Sequence, residues 1–308
     1  MARWRRTALA PRAAKKHADI MTTIQKYFYA PQSNLITTIL DDGWSSEDIL
    51  ENCEALIYSG SSIDDARKIM ECINSGSKCR NLKMLSIPID MIEFLDWKGL
   101  RYKLKHLHIN EPMRGGIWDA YINNALPDFS KIFLDNLETM RVPCPLVKWK
   151  SFDVTKFRSL KWIGVELEEM DRLGQSLEIA SKNNNIIGFD IFDPKGRDIL
   201  RQLRPDLLGL AIYRQTSRSF NFFELSRFME LKYLRLTGGA SEINIDDFLN
   251  LENLEELEII SYPSIKNARK LFDFKALRYL RIGGIRSKYL SNAEEKELKK
   301  IIGFCKFD

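Results

Sequence analysis

A short apolar pattern that recurs at a fixed interval constrains the fold of this chain more than any other feature. The pattern Leu-x-x-Leu-x-Leu, with Ile accepted at its last position, occurs at residues 231–236, 254–259 and 277–282. The three copies start 23 residues apart and therefore form an internal repeat. A unit of this length cannot bury its apolar side alone, so neighbouring units must stack. The sequence therefore predicts a solenoid.

The same unit continues towards the N terminus, with Ile, Met, Val or Phe at some of its apolar positions. Six further copies begin at residues 82, 104, 137, 160, 186 and 207. Along all nine copies, successive starts differ by 22, 33, 23, 26, 21, 24, 23 and 23 residues. One match would mean little in a chain so rich in leucine. Nine matches at a nearly constant step predict one short strand in every unit.

This pattern resembles that of the leucine-rich repeat family, whose units are about 20–29 residues long. The resemblance covers residues 79–290. It implies an α/β fold: a right-handed leucine-rich-repeat solenoid of about nine repeats, with a parallel concave sheet and helical caps at both ends. One feature departs from the family. The Asn or Cys usually found three residues beyond the last Leu of a unit is absent here, so the turns after the strands must be closed in another way.

The repeat pattern divides the chain into four segments of different character. The first is rich in Arg and Ala and is predicted to be a disordered basic tail. The second shows short amphipathic helical patterns and no strand pattern, which favours a helical cap over the first repeat. The third is the solenoid, and the fourth is a C-terminal cap. These segments are residues 1–20, 21–78, 79–290 and 291–308.

Three local patterns refine this division. Ser61 or Ser62 has the position of an N-cap, and Gly76 that of a helix stop, around an amphipathic stretch. Ser291 and Glu294 form a capping box before another helical pattern. The single step of 33 residues contains an extra segment, 114–127, which is a candidate protruding loop.

Charge and cysteine content limit the class of protein. Residues 1–20 contain six basic residues and one acid, and the remaining 288 residues have 41 basic and 41 acidic side chains. A neutral body does not favour specific nucleic-acid binding. The five cysteines are scattered without Cys-x-x-Cys spacing, which is typical of reduced thiols in a cytoplasmic protein. No run of 18 apolar residues exists, so no membrane span is predicted.

Residues that could perform catalysis or hold a metal are few. His106 and His108 share one face of a predicted strand and could approach one metal ion, but no Cys or acid nearby completes a ligand set. The sequence contains no phosphate-binding loop ending in Lys-Ser/Thr, no Gly-x-Ser-x-Gly and no His-Glu-x-x-His. We therefore predict a non-catalytic protein without a metal or cofactor.

The residues between the apolar positions define a candidate binding surface. When the fourth and sixth residues of a unit face the core, the third, fifth and seventh face the concave side of the sheet. Tyr, Trp and Arg are frequent there, and these types are enriched in binding hot spots. The alternative is that they only shield the sheet and pair across strands. The predicted partner-binding residues are His106, His108, Arg141, Trp162, Glu166, Asp190, Phe192, Tyr213, Tyr233, Arg235, Glu256, Glu258, Tyr279 and Arg281.

These features predict a scaffold that is monomeric alone and binds one cognate protein through its concave face. Short, degenerate repeats with a neutral body are similar to some bacterial immunity proteins, which implies a toxin as the partner. One alternative is a substrate-binding adaptor of a ubiquitin ligase, for which residues 21–78 would have to form an F-box-like helical module. Another is a nucleic-acid or membrane-surface binder that uses the basic tail.

Overall fold

The computed structural model describes residues 35–308 apart from positions 46–47, 50–51, 77–78, 114–115, 124, 168–170, 172, 197 and 286. The predicted tail, residues 1–20, lies outside the described residues, as does the beginning of the predicted N-terminal cap. In the described part, no helix has the length and apolar character needed to cross a membrane.

Short strands alternate with short helical segments along the chain. The strands are β1 (Thr37–Leu40), β2 (Ala55–Tyr58), β3 (Met84–Pro88), β4 (His106–Asn110), β5 (Thr139–Pro143), β6 (Trp162–Glu166), β7 (Gly188–Phe192), β8 (Gly209–Tyr213), β9 (Tyr233–Thr237), β10 (Ile243–Asn244), β11 (Glu256–Ile260), β12 (Ile265–Lys266), β13 (Tyr279–Gly283) and β14 (Phe304–Phe307). The α-helices are α1 (Ile63–Ser75), α2 (Trp97–Leu100), α3 (Ile117–Ile122), α4 (Cys144–Val147), α5 (Gln175–Ala180) and α6 (Asn292–Ile301). The 3₁₀ helices are Ile89–Phe94, Phe129–Lys131, Val154–Lys156, Ile199–Gln202, Phe222–Arg227, Ile245–Phe248 and Ala268–Asp273.

One long parallel sheet organises the whole fold. Twelve strands pair in the order β1 to β9, then β11, β13 and β14, and every pairing is parallel. Each of the nine units found in the sequence begins two residues before one of the strands β3 to β9, β11 or β13. Leu234, Leu257 and Leu280 lie at the same level of the sheet. The chain is therefore a repeat solenoid, as its period predicts.

A single hydrophobic core runs between the sheet and the returning segments. The second and fourth residues of the strands enter it, and Leu234, Leu236 and Leu257 are fully buried. The opposite wall includes Leu200 and Leu225, which belong to 3₁₀ helices. Most of the returning segments in the described part of the chain form 3₁₀ rather than α-helix. The 3₁₀ helix rises further per residue, so it spans the unit with the few residues left after the strand and its turns.

The prediction of a purely helical cap at residues 21–78 is wrong in the described part. Thr37–Leu40 and Ala55–Tyr58 are parallel strands, paired with each other and with β3. They lack the Leu-x-x-Leu-x-Leu pattern and have only four residues each. Apolar runs this short cannot be assigned to a strand or a helix from their periodicity. The predicted helix between them and β3 is confirmed: α1 begins after Ser62, which accepts a hydrogen bond from the Asp65 N–H, and ends at Gly76 with φ 64°.

The C-terminal segment is helical only in its first half. The predicted capping box is confirmed, because the Ser291 side chain accepts from the Glu294 N–H and Glu294 accepts from the Ser291 N–H. After α6 the chain returns as β14, which pairs with β13 and extends the sheet by one strand. Phe304 and Phe307 are the first and last residues of this strand. A helix and a strand together therefore close this end.

The insertion at residues 114–127 is not a simple protruding loop. Residues 117–122 form α3, and Ile117 is buried in the main core. The Tyr121 ring packs edge-on against Trp149, with 5.8 Å between the ring centroids. The Trp149 indole N–H donates to the Pro127 carbonyl at 3.0 Å. These contacts fix the insertion to the following repeat.

A column of residues with left-handed backbone closes the turns where the family would have an Asn ladder. Each follows a strand directly, and each N–H donates to a carbonyl at or just beyond the end of the adjacent strand of the sheet. For example, the Arg214 N–H donates to Thr237 O at 2.8 Å, and the Ser261 N–H to Gly283 O at 2.8 Å. A left-handed conformation turns the chain away from the strand without leaving these groups unpaired. The column is Asp193, Arg214, Gly238, Ser261 and Gly284, with φ between 52° and 69°.

Candidate functional site

The sheet face opposite the core carries three rows of side chains, from the first, third and fifth residues of each strand. We call this surface, the predicted concave side, the free face. The strand register places all of the predicted partner-binding residues on it. Four of them are at most 2% exposed: Trp162, Tyr233, Glu256 and Glu258. These four support the face rather than offer surface to a partner, whereas the others remain partly exposed.

Four side chains at the centre of the free face form a continuous stack. The Phe192 and Tyr213 rings are parallel, with 4.5 Å between their centroids. The Arg141 guanidinium lies over Phe192 at 3.9 Å, and the Arg235 guanidinium lies over Tyr213 at 5.3 Å. Stacking of a cation on each outer ring face is favourable because the ring faces carry negative potential. The stack therefore fixes both arginines at defined positions.

Each arginine of the stack also has its own carboxylate. The Arg141 Nε donates to Glu166 at 2.7 Å, and its Nη2 contacts the same oxygen. Arg235 Nε lies 3.0 Å from Glu258, which also accepts from the Tyr279 hydroxyl at 3.0 Å. Because these acids balance the two cations, a further acid at the centre has no cation of its own.

Asp190 is that further acid, and it lies between the two arginines in the middle row. Its Oδ1 accepts from the Trp162 indole N–H at 3.0 Å. Within the described residues it has no ion-pair partner. Burial raises the pKa of the Asp190 carboxyl to about 7, although the Trp162 hydrogen bond and the two arginines favour the ionised form. Near neutral pH, the protonated and the ionised forms of this half-buried carboxyl are therefore both populated.

Small residues around Asp190 give the centre its shape. The strand register puts Gly164 and Ala211 on either side of Asp190. Trp162 lies over Gly188, where a Cβ atom would come within 2.0 Å of the indole ring. The indole can therefore extend across β7 and reach the carboxylate. The sequence pattern did not predict these contacts, although Gly164 and Gly188 both occupy outward strand positions that usually carry larger side chains.

The two histidines on the free face are uncharged, and His108 lies beside Arg141 of the stack in the strand register. Burial lowers the pKa of His106 to about 4 and that of His108 to about 3, so both rings are neutral at pH 7. His106 Nδ1 lies 2.8 Å from the Thr139 hydroxyl. The described part of the chain contains no group of three or more His, Cys, Asp or Glu that could hold a metal ion.

Replacing Gly188 with alanine is expected to disturb the centre of the free face. The added methyl group would overlap the Trp162 ring, and such overpacking costs about 1–3 kcal/mol of unfolding free energy. Loss of the Trp162 hydrogen bond should also raise the pKa of Asp190 further, because that bond favours the ionised form. Urea unfolding and a carboxyl-carbon NMR titration would measure the two effects. Gly303→Ala, whose nearest contact is at 3.5 Å, is the control. An unchanged Asp190 titration would contradict the placement of the indole.

Comparisons with known proteins give little further information. No protein-family model matches this chain, and no curated protein matches it. Among solved structures, the chain is similar to one titled "Structure of the Toll - Spatzle complex, a molecular hub in Drosophila development and innate immunity". The identity is 13% and the TM-score 0.27, and the match covers 80% of this chain and 44% of that chain. This chain thus spans less than half of that chain's length, and the solenoid fold rests on the parallel sheet itself.

Proposed function

We propose that this chain is a non-catalytic recognition protein of the leucine-rich-repeat type, and that it binds one partner protein through the centre of its free face. The observation that supports this function is the Asp190 carboxyl, which is half-buried without a cation of its own among stacked rings and paired arginines. We further propose that the partner places a Lys or Arg side chain against this carboxylate.

A purely structural role would explain the stacked rings at the centre of the free face, but it would not explain the Asp190 carboxyl beside them. Stacked Phe192 and Tyr213 would shield and stabilise the sheet without any partner. Removing a carboxylate from water is unfavourable unless a cation or several donors compensate it, and Asp190 has one donor, the Trp162 indole. A cation from a partner would complete the compensation. Rigid rings and arginines around such a pair are typical of interface hot spots.

The Asp190→Asn variant is expected to bind the partner about 30-fold or more weakly, because loss of a charged pair that is shielded from water costs 2 kcal/mol or more. The partner would first be captured with the intact chain from its source, then purified, and its affinity measured by calorimetry. Asp193→Asn is the matched control, since Asp193 lies three residues away, pairs with Lys195 and has φ 54°, which Asn tolerates.

The affinity of the intact chain should also depend on pH in a defined direction. Below about pH 7 the Asp190 carboxyl is mostly protonated and must lose its proton before it pairs with a cation. Affinity should therefore rise by up to about tenfold per pH unit up to pH 7 and then level off. The other groups that face Asp190 are Arg141, Glu166, Arg235, Glu258 and Tyr213, and burial raises the pKa of the Tyr213 hydroxyl far above this range.

The outcomes separate the parts of this proposal. If Asp190→Asn binds as tightly as the intact chain and keeps the same pH profile, the site does not lie at Asp190. If the intact chain captures no partner, recognition itself is wrong. The finer proposal, that the partner is a toxin which this chain neutralises, requires the captured protein to lose a toxic activity in a stoichiometric complex.

The two alternative functions differ in what supports them. The adaptor hypothesis needs a helical module in residues 21–78, and the strands Thr37–Leu40 and Ala55–Tyr58 occupy part of that segment. These strands leave less of the segment for a helical module, so the adaptor hypothesis has less support. The hypothesis of a nucleic-acid or membrane-surface binder depends on residues 1–20, which lie outside the described residues. Deleting those residues and finding the same binding would remove it.

A further inference from the structure

A groove on the returning side of the solenoid lies apart from the free face. It has a volume of about 360 Å³, close to the lower end of ligand pockets, and is formed by α2 and the 3₁₀ helix Phe129–Lys131 of neighbouring repeats. Its lining residues are Trp97, Lys98, Arg101, Ser130, Lys131 and Phe133. The groove therefore combines two aromatic rings with three cationic side chains and no acidic one.

The groove contains one aromatic ring that is anchored to the core, Trp97, and one that is largely exposed, Phe133. Trp97 packs against the core and donates its indole N–H to the Ile92 carbonyl at 3.0 Å. Phe133 is 50% exposed, and the neighbouring Tyr102 is 63% exposed. Large apolar side chains that are exposed together in a concave site indicate a binding surface more strongly than scattered ones.

The charges around the groove are only partly balanced. Arg101 pairs with Asp135 at 2.9 Å. Lys98 and Lys131 have no ion-pair partner within the described part of the chain, and Lys156 lies over the Phe133 ring at 5.9 Å. Hydrogen bonds from the Ser130 side chain and from the Ser130 N–H lower the pKa of the nearby Asp128 carboxyl and keep it ionised beside Lys131. The lining itself still presents positive charge on both sides of an apolar floor.

We infer that this groove binds a short acidic segment of a partner protein, with one aromatic or large apolar side chain inserted between Trp97 and Phe133. Carboxylates on either side of that anchor would meet Lys98, Arg101 and Lys131. Charge complementarity of this kind selects an acidic segment and rejects a basic one. This second site is independent of the function proposed for the free face, since it lies on the other side of the sheet.

A cavity of similar size offers a comparison within the same chain. It is lined by Arg201, Phe223, Glu224, Ser226 and Arg227, with Phe223 63% exposed. There the cations are already compensated, because Glu224 pairs with Arg201 at 2.7 Å and lies 3.7 Å from Arg227. Phe223 is thus an exposed aromatic residue like Phe133, but the positive charges beside it are already paired. It is therefore a suitable control position for Phe133.

The test uses the full chain and a fluorescein-labelled peptide, Glu-Glu-Phe-Glu-Glu, in an anisotropy titration at low salt. Phe133→Ala and Lys131→Glu are each expected to weaken binding about fivefold or more, through the lost anchor and the reversed charge. The matched controls Phe223→Ala and Lys300→Glu, the latter on the exposed side of α6, should bind as the intact chain does. Urea unfolding of each variant checks that the fold is retained.

Several results would overturn the inference. These are no binding of the peptide by the intact chain at millimolar concentration, equal binding by Phe133→Ala, and equal weakening by the control variants. Two further peptides test the chemistry separately. Glu-Glu-Ala-Glu-Glu should bind more weakly if the anchor matters, and Lys-Lys-Phe-Lys-Lys should not bind if the charge matters. If the basic peptide binds as tightly as the acidic one, the positive charges of the groove do not select the ligand. An acidic segment of a partner protein would then no longer be the proposed ligand.

Discussion

Replacing Leu257 with alanine is expected to lower the free energy of unfolding by about 2–5 kcal/mol, the range observed when a buried Leu side chain is truncated in a packed core. Leu257 is fully buried in β11, and the register places it between Leu234 and Leu280 of the adjacent strands. Truncation of Leu257 would therefore leave a cavity at the level where three repeats meet. Contacts between neighbouring repeats supply most of the stability of a solenoid.

Urea unfolding followed by circular dichroism would measure this loss. Leu173→Ala is the matched control, because the same atoms are removed from a side chain that is 73% exposed. Such a surface change usually alters stability by less than about 0.5 kcal/mol. A loss at Leu257 as small as that at Leu173 would contradict the stacking of these three strands around one core.

The Glu258→Ala variant is expected to be destabilised by about 3–5 kcal/mol, because it removes one partner of a buried ion pair. The Glu258 side chain is fully buried and lies 3.0 Å from the Arg235 guanidinium, whose side chain is only 15% exposed. The Tyr279 hydroxyl also donates to Glu258. Without the carboxylate, a cation that is largely removed from water loses a compensating charge, and a tyrosine loses an acceptor.

The control for this prediction is an exposed ion pair. Asp135→Ala breaks a contact with Arg101 in which both side chains are more than 40% exposed, and such pairs contribute about 0–1 kcal/mol. Glu258→Gln should give an intermediate loss, since the amide oxygen can still accept from Tyr279 while the charge is gone. If Glu258→Ala is no more destabilised than Asp135→Ala, the pair with Arg235 does not stabilise the fold.

The free face could be assigned from the sequence, but its contacts could not. Alternation assigned residues such as Asp190 and Phe192 to the correct face of the sheet, because strand side chains must alternate once the apolar positions enter the core. It could not show that Trp162 reaches Asp190 across Gly188, since that contact joins residues 28 positions apart. Nor could it separate the buried Glu258 from the half-buried Asp190, which have the same position in their units.

The repeat, the position of nine strands and the side of the sheet on which each strand residue lies could all be predicted from the amino-acid sequence. These properties follow from local periodicity, which each unit repeats independently of its neighbours. That β1, β2 and β14 join the sheet depends on tertiary contacts, because strands this short are stable only when an adjacent strand supplies their hydrogen bonds. The charge environment of Asp190 likewise depends on tertiary contacts, since desolvation and ion pairing depend on side chains that several different repeats bring together.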